Sequence, residues 1–276
     1  MRMNVRMKWI RIMAGIALFL LPLVSKAETL VLVPGFLAQG MDWRFRHVTN
    51  ALQSAGWVDG GNYTLTAQGI LNTLLLAKRP ANVFYTLDLP TQSSITYQAE
   101  ILGQYLQHIH AQRREPLALA GHSAGGVVAR YWLVTSPHVP VHTLITIASP
   151  HLGTPWAELT EAFINSPLQD MVTRMGIPIA NARDLYTELR EERPNTFLYW
   201  LNHQRHPAIR YVSIVRNNQR PDKTDFVVPP YSQDMDKIAA LHGHTETWSD
   251  DGDHFLEAQD GYRLAKILAS QQRASR

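Results

Sequence analysis

Residues 117–128 read Leu-Ala-Leu-Ala-Gly-His-Ser-Ala-Gly-Gly-Val-Val, and the fold is read outward from them. The apolar run 117–120 has the length and flanks of a buried strand. It enters Gly121-His122-Ser123-Ala124-Gly125, an instance of G-x-S-x-G, and then a helix-compatible segment, 126–134. Strand, tight turn and helix around a serine make a nucleophile elbow. The pentapeptide alone also fits a surface loop; its flanks favour the elbow. In so sharp a turn, a side chain at Gly121 or Gly125 is expected to collide with neighbouring backbone. Ser123 is expected in strained φ/ψ space that lifts its hydroxyl clear.

The rest of the chain alternates strands and helices. Apolar runs at 29–33, 82–87, 143–148 and 210–215 read as strands, and the first ends in the turn Pro34-Gly35-Phe36-Leu37. The spacing of Trp43, Val48 and Leu52 predicts a helix over 42–55 that stops at Gly56. The spacing of Ile101, Leu102, Tyr105, Leu106 and Ile109 predicts another over 96–112. A short strand at 62–68, a short helix at 70–78, a helix at 231–241, a last strand at 245–248 and a closing helix at 257–269 complete the reading. That closing helix has Tyr262, Leu264, Ile267 and Leu268 on its apolar side. This rhythm implies βαβ crossovers and a mostly parallel sheet covered on both faces.

Between about 155 and 205 no strand is expected. Start signals at Ser166-Pro167, Asn181 and Pro194-Asn195 mark short helical pieces carrying Phe163, Met171, Met175, Leu198 and Trp200. An insertion there lies above the strand C-termini, where α/β enzymes keep their sites. It reads either as a helical subdomain with its own core or as a lid lining an apolar pocket.

Of the 276 residues 45% are hydrophobic and 18% charged, which suits one sizeable α/β domain. The first 27 differ in kind: Arg2, Arg6, Lys8 and Arg11 precede an apolar stretch at 12–24, and Ser25-Lys26-Ala27 offers small residues for cleavage before Glu28. The stretch is shorter than the roughly 18 residues that span a bilayer, so it reads as a cleaved export signal rather than an anchor. The expected domains are therefore the signal, 1–27, and one catalytic domain, 28–276. Those 27 residues hold five of the 26 Lys/Arg and none of the 23 Asp/Glu, so the remainder carries −2 rather than +3. The basic pI gives no case for nucleic-acid binding. Cysteine is absent, which excludes disulfides and thiolate chemistry.

A serine hydroxyl is a poor nucleophile near neutral pH and needs a base, which needs an orienting carboxylate. An elbow of this kind orders them Ser, acid, His along the chain. Asp225 follows the strand at 210–215, with Asp222 its rival. His254, between the aspartate-rich turn 250–253 and the last helix, is preferred to His242 and His244, which precede the last strand. His242-Gly243-His244 lacks a sensibly spaced third metal ligand. The oxyanion donors expected are the backbone N–H groups of Ala124 and Phe36.

These residues resemble the lipase-like serine α/β-hydrolases, especially bacterial lipases and esterases and their inositol-deacylase-like relatives. The resemblance is carried by Val33-Pro34-Gly35-Phe36, the elbow through Gly126, Ile147-Ala148-Ser149-Pro150-His151-Leu152-Gly153-Thr154-Pro155, and Asp225 with His254. It implies an α/β-hydrolase fold with a helical lid or cap, and hydrolysis of carboxylic esters through an acyl-enzyme. Ser123, Asp225 and His254 would be the triad, and Phe36 and Ala124 the oxyanion donors. Two places depart from the family. Pro34-Gly35 stands where His-Gly is frequent, removing a polar ring near the oxyanion turn. Leu256 stands where some secreted lipases carry a calcium-binding aspartate, and the turn 250–253 reads as solvated rather than cation-binding.

The expected protein is an exported lipase or esterase, periplasmic or extracellular, acting on acyl or lipid esters as a monomer. It would need no metal or cofactor and would touch a lipid interface transiently through the lid. A phospholipase A1 or thioesterase using the same residues is the alternative within enzymes. A non-catalytic binding module on the same scaffold is the alternative outside them.

Overall fold

The computed structural model describes residues 27–158, 182–217 and 225–274. All but the last residue of the expected export signal 1–27, the middle of the insertion with Ser166-Pro167 and Asn181, and Asp222 lie outside the described residues.

One eight-stranded sheet organises the chain. Its strands are β1 (Glu28–Val33), β2 (Val58–Thr66), β3 (Gly69–Asn72), β4 (Asn82–Leu87), β5 (Leu117–His122), β6 (Val141–Ile147), β7 (Arg210–Arg216) and β8 (Thr245–Asp250). The order across the sheet is β3-β2-β4-β1-β5-β6-β7-β8, and only the β2–β3 pair is antiparallel. Parallel pairing brings the C-terminal ends of β1, β5, β6, β7 and β8 to one edge, where the expected site residues also lie.

The central strands carry apolar residues on both faces because both faces are covered. In β1, Val31 and Val33 face one core while Leu30 and Leu32 face the other; in β5, Leu117 and Leu119 alternate with Ala118 and Ala120 in the same way. This is the period-two consequence of the pleat. The first core is closed by helices α3 (Ile95–Arg113) and α4 (Ala124–Thr135), through residues such as Leu102, Tyr105, Val128 and Trp132. The second is closed by α2 (Val48–Ser54) and α8 (Ala258–Ala274), through Val48, Leu52, Leu264 and Ile267. Ser94 caps α3 by accepting the Tyr97 N–H at 3.2 Å.

Four expectations need correction. The helix over 42–55 is two pieces, α1 (Asp42–Phe45) and α2, separated by His47 at φ +60°. Residues 70–78 do not form a helix: Ile70 and Leu71 pair with Leu65 and Thr64 as edge strand β3, so hairpin pairing overrides the helix propensity of the leucines. Residues 231–241 form only the turn α7 (Pro230–Gln233) and a 3-10 turn (Met235–Lys237). Asp234 breaks the run with extended backbone and caps the second turn by accepting the Asp236 N–H. Tyr262 is half exposed, off the apolar side of α8.

In the insertion, α5 (Arg183–Glu188) and α6 (Phe197–Asn202) are described and no strand intervenes among the described residues. Thr196, one residue after the expected Pro194-Asn195 signal, caps α6 by accepting the Tyr199 N–H.

Candidate active site

Strand β5 runs straight into Ser123, which adopts φ +50° and ψ −129° before α4 begins at Ala124. A non-glycine residue held there is strained, and the turn around it is correspondingly tight. A Cβ on Gly121 would lie 2.5 Å from backbone atoms of Gly126, and one on Gly125 only 2.3 Å from the Pro34 carbonyl oxygen. Both glycines are therefore sterically required, as the sequence implied. The Ser123 N–H donates to the Ile147 carbonyl at 2.8 Å, which fastens the elbow to the end of β6.

Three of the expected residues meet although they are far apart in sequence. Ser123 Oγ lies 3.0 Å from His254 Nε2, and His254 Nδ1 lies 2.9 Å from Asp225 Oδ2. A carboxylate oxygen only accepts, so Nδ1 carries the proton and Nε2 presents its lone pair to the hydroxyl. The Asp225 side chain is fully buried. Its Oδ1 accepts the Val227 and Val228 N–H groups, each at 2.8 Å, and its Oδ2 also accepts Gln233 Nε2 at 3.0 Å. Four N–H donors thus converge on one carboxylate, the surroundings that an ionised, fixed acid needs.

His254 sits between β8 and α8, and Arg216 secures both ends of that link. Fully buried at the end of β7, it pairs with Asp250 through Nη1, donates from Nη2 to both oxygens of Asp260 at 2.9 and 2.8 Å, and reaches the Phe255 carbonyl at 3.3 Å. Asp250 also pairs with Arg263. The expectation of a solvated turn over 250–253 is thereby corrected for Asp250, whose side chain is buried against Arg216; Asp251 and Asp253 remain exposed. Register explains the pairing, since Arg216 and Asp250 are partners across β7 and β8.

Phe36 and Ala124 both border the cavity in front of Ser123. Gly35 approaches the serine so closely that a Cβ there would sit 2.9 Å from Ser123 Cβ. Among the described residues neither the Phe36 nor the Ala124 amide donates to another group. Ala124 is also the first residue of α4, where N–H groups carry partial positive charge. The cavity measures about 410 Å³ and is mainly apolar, with Leu185, Tyr186 and Leu189 from the insertion facing Val227, Val228 and Leu256. His242 and His244 are exposed at the start of β8, away from this group, and His242 Nδ1 bonds the Asp236 carbonyl at 2.9 Å.

A family model, the PGAP1-like alpha/beta domain, matches residues 88–175, a span that includes the elbow. No curated protein matches the sequence. Among solved structures, the Bacillus licheniformis lipase BlEst2 in mature form is similar at 14% identity and a TM-score of 0.61, over 89% of this chain and 92% of that one. The metagenomic carboxyl esterase MGS0156 is similar at 16% identity and a TM-score of 0.59, over 91% and 76%. The fold is that of an α/β-hydrolase. The bottromycin epimerase BotH shares it at 14% identity and a TM-score of 0.51, over 88% and 92%. This fold therefore carries more than one chemistry, and the reaction has to be argued from the site.

Within this α/β-hydrolase fold the Ser-Pro-His-x-Gly-Thr stretch ties β6 to the insertion. The His151 N–H donates to the Ser232 carbonyl at 2.8 Å, the His151 carbonyl accepts Asn202 Nδ2 at 3.1 Å, and the Thr154 N–H donates to the Leu189 carbonyl at 3.1 Å. Burial, reinforced by Arg130 and His206, holds the His151 imidazole well below its ordinary pKa, so it stays neutral. Sequence reasoning missed Gln233 and Arg216. Gln233 carried no signal, lying in a stretch read as plain helix. Arg216 did carry one, a charged residue continuing a buried strand toward a cluster of aspartates.

Proposed function

We propose that this chain is an exported carboxylic ester hydrolase of lipase or esterase type. The observation that supports it most directly is the unbroken hydrogen-bonded series Ser123 Oγ, His254 and Asp225, at 3.0 and 2.9 Å, opening onto an apolar cavity. In this reading His254 Nε2 removes the proton as Ser123 Oγ attacks the ester carbonyl. The carbonyl oxygen becomes an oxyanion, received by the Phe36 and Ala124 N–H groups. His254, now charged and stabilised by Asp225, returns the proton to the departing alcohol. Water, activated by the same imidazole, then releases the acid from the acyl-enzyme.

The apolar wall from the insertion suits an acyl chain, since each methylene removed from water contributes about 0.8 kcal/mol. Leu37, Trp156 and Phe255 border the cavity yet are about half exposed, which supports transient contact with a lipid surface. Export rests on the basic and apolar pattern of residues 1–27.

The test is fatty-acid release from tributyrin, scanned through its solubility limit, with Ser123→Ala alongside. A rate that rises sharply once droplets form and is lost in the variant identifies a lipase. Saturation while the ester is dissolved identifies an esterase. Equal rates for variant and wild type would sink the reading.

A further inference from the structure

The elbow residue before the serine does more than complete a motif. His122 is buried, and its Nε2 lies 2.8 Å from the backbone carbonyl oxygen of His254. A carbonyl oxygen only accepts, so Nε2–H is the donor and the tautomer is fixed. The two imidazoles lie 5.3 Å apart, tilted by 48°, and Trp43 meets the His122 ring edge-on at 6.5 Å. We propose that His122 is a positioning residue for His254, setting the distance between that imidazole and Ser123. The proposal rests on the reading of Ser123, His254 and Asp225 given above.

Ser123 and His254 are 131 residues apart, and His254 stands on a link between β8 and α8. Arg216 secures that link at Asp250, Phe255 and Asp260, but none of these contacts refers to the elbow. The His122 bond does. It closes a ring in which serine and base are linked by one peptide unit, the His122 side chain and its hydrogen bond to the His254 carbonyl, on a turn whose backbone is already constrained by Gly121 and Gly125. Misplacing a reacting group by about 1 Å costs on the order of 100-fold in rate, so such a tether has catalytic consequence.

The state of the ring fits this role. Burial first, and then the neighbouring His254, push the His122 pKa down to about 3, while its bond to the carbonyl opposes the shift; Arg216 and Arg46 also disfavour the cation. His122 therefore stays neutral when His254 becomes imidazolium and adds no charge of its own against proton transfer. The ring also stands beside the oxyanion turn, since a Cβ on Gly35 would lie 3.1 Å from His122 Nδ1.

The experiment compares the full chain with His122→Phe, His122→Gln and Ser123→Ala on a soluble p-nitrophenyl ester between pH 5 and 9. Functional enzyme is counted by stoichiometric fluorophosphonate labelling, so partial misfolding does not enter kcat. Phenylalanine fills the ring space without a donor, and glutamine restores an N–H at similar reach. The expected result is a kcat for His122→Phe about 10- to 100-fold lower with KM within about twofold. Its acid limb should move to lower pH, because a looser Asp225 contact stabilises the imidazolium less. His122→Gln should stay within about threefold of wild type. A wild-type kcat and pH profile in His122→Phe overturns the inference, as does a glutamine variant as slow as phenylalanine. Retained activity in Ser123→Ala would instead fail the underlying reading, whatever His122 does.

Discussion

Arg216 Nη2 donates to both carboxylate oxygens of Asp260, at 2.9 and 2.8 Å, and neither side chain has any exposure. The same guanidinium pairs with Asp250, so one cation joins the end of β7, the end of β8 and the start of α8. Removing one partner of a buried ion pair strands the other charge in low dielectric. Arg216→Met is expected to destabilise the protein by about 3–5 kcal/mol. A urea titration checks this, and a loss below about 1 kcal/mol would show that Asp250 and Asp260 do not depend on Arg216 for their burial.

Asp225 offers a cleaner separation of chemistry from folding. In Asp225→Asn the side-chain carbonyl oxygen can still accept the Val227 and Val228 N–H groups. The new NH2, however, faces His254 Nδ1 and Gln233 Nε2, both of which donate in the native protein. The imidazole is forced into the wrong tautomer, with its proton toward Ser123. Asp225→Asn should lower kcat by about 10⁴-fold, the size seen for the corresponding exchange in a serine protease, with KM little changed. Steady-state kinetics at pH 8 check it, and a loss under tenfold would remove Asp225 from the proposed role.

The elbow predicts an effect on both stability and rate. A Cβ at residue 125 would lie 2.3 Å from the Pro34 carbonyl oxygen and 2.7 Å from that of Val33, and neither backbone atom can swing aside as a side chain can. Gly125→Ala must therefore push the elbow away from the turn that carries Phe36. A cost of about 1–3 kcal/mol is expected from the overpacking. A fall in kcat, measured where the variant is still fully folded, would accompany it, because the Phe36 N–H is displaced. Unchanged kcat in a folded variant would argue against Phe36 as an oxyanion donor.

What was legible in the sequence divides along physical lines. β1, β5, β6 and β7 are buried on both faces, so their apolar runs announced them, and the elbow glycines were readable because steric exclusion leaves no alternative residue. Ser123, Asp225 and His254 could be grouped from the sequence because their chain order follows from the strand ends on which they sit. The edge was harder. Ile70 and Leu71 pair at the margin of the sheet, where period-two burial is weak and leucines suggest a helix. Residues 231–241 failed for another reason: Ser232 and Gln233 spend their side chains on Gly153, Asp225 and Val228, contacts that lie outside any helical repeat. Such polar pairing has no local period to detect.

Glu188, on α5 of the insertion, gives a prediction in pH. Its carboxylate accepts the Ile95 N–H at the start of α3, tying the insertion to the first-core helices. Burial raises its pKa from 4.5 to about 7; the Ile95 N–H opposes that rise and Asp184 adds to it. A folded-state pKa above the unfolded value means the native state favours the neutral acid, so this contribution to stability is complete below about pH 4.5 and is lost as pH rises to about 7. Glu188→Gln keeps an acceptor for the Ile95 N–H but cannot ionise. Its stability relative to wild type should therefore improve steadily between pH 4.5 and 7 and level off above that. Urea titrations of both proteins at pH 5, 6, 7 and 8 measure the difference. A relative stability of the variant that is flat across the range, or that falls toward pH 8, would mean that the Ile95 amide outweighs burial and holds the carboxylate ionised.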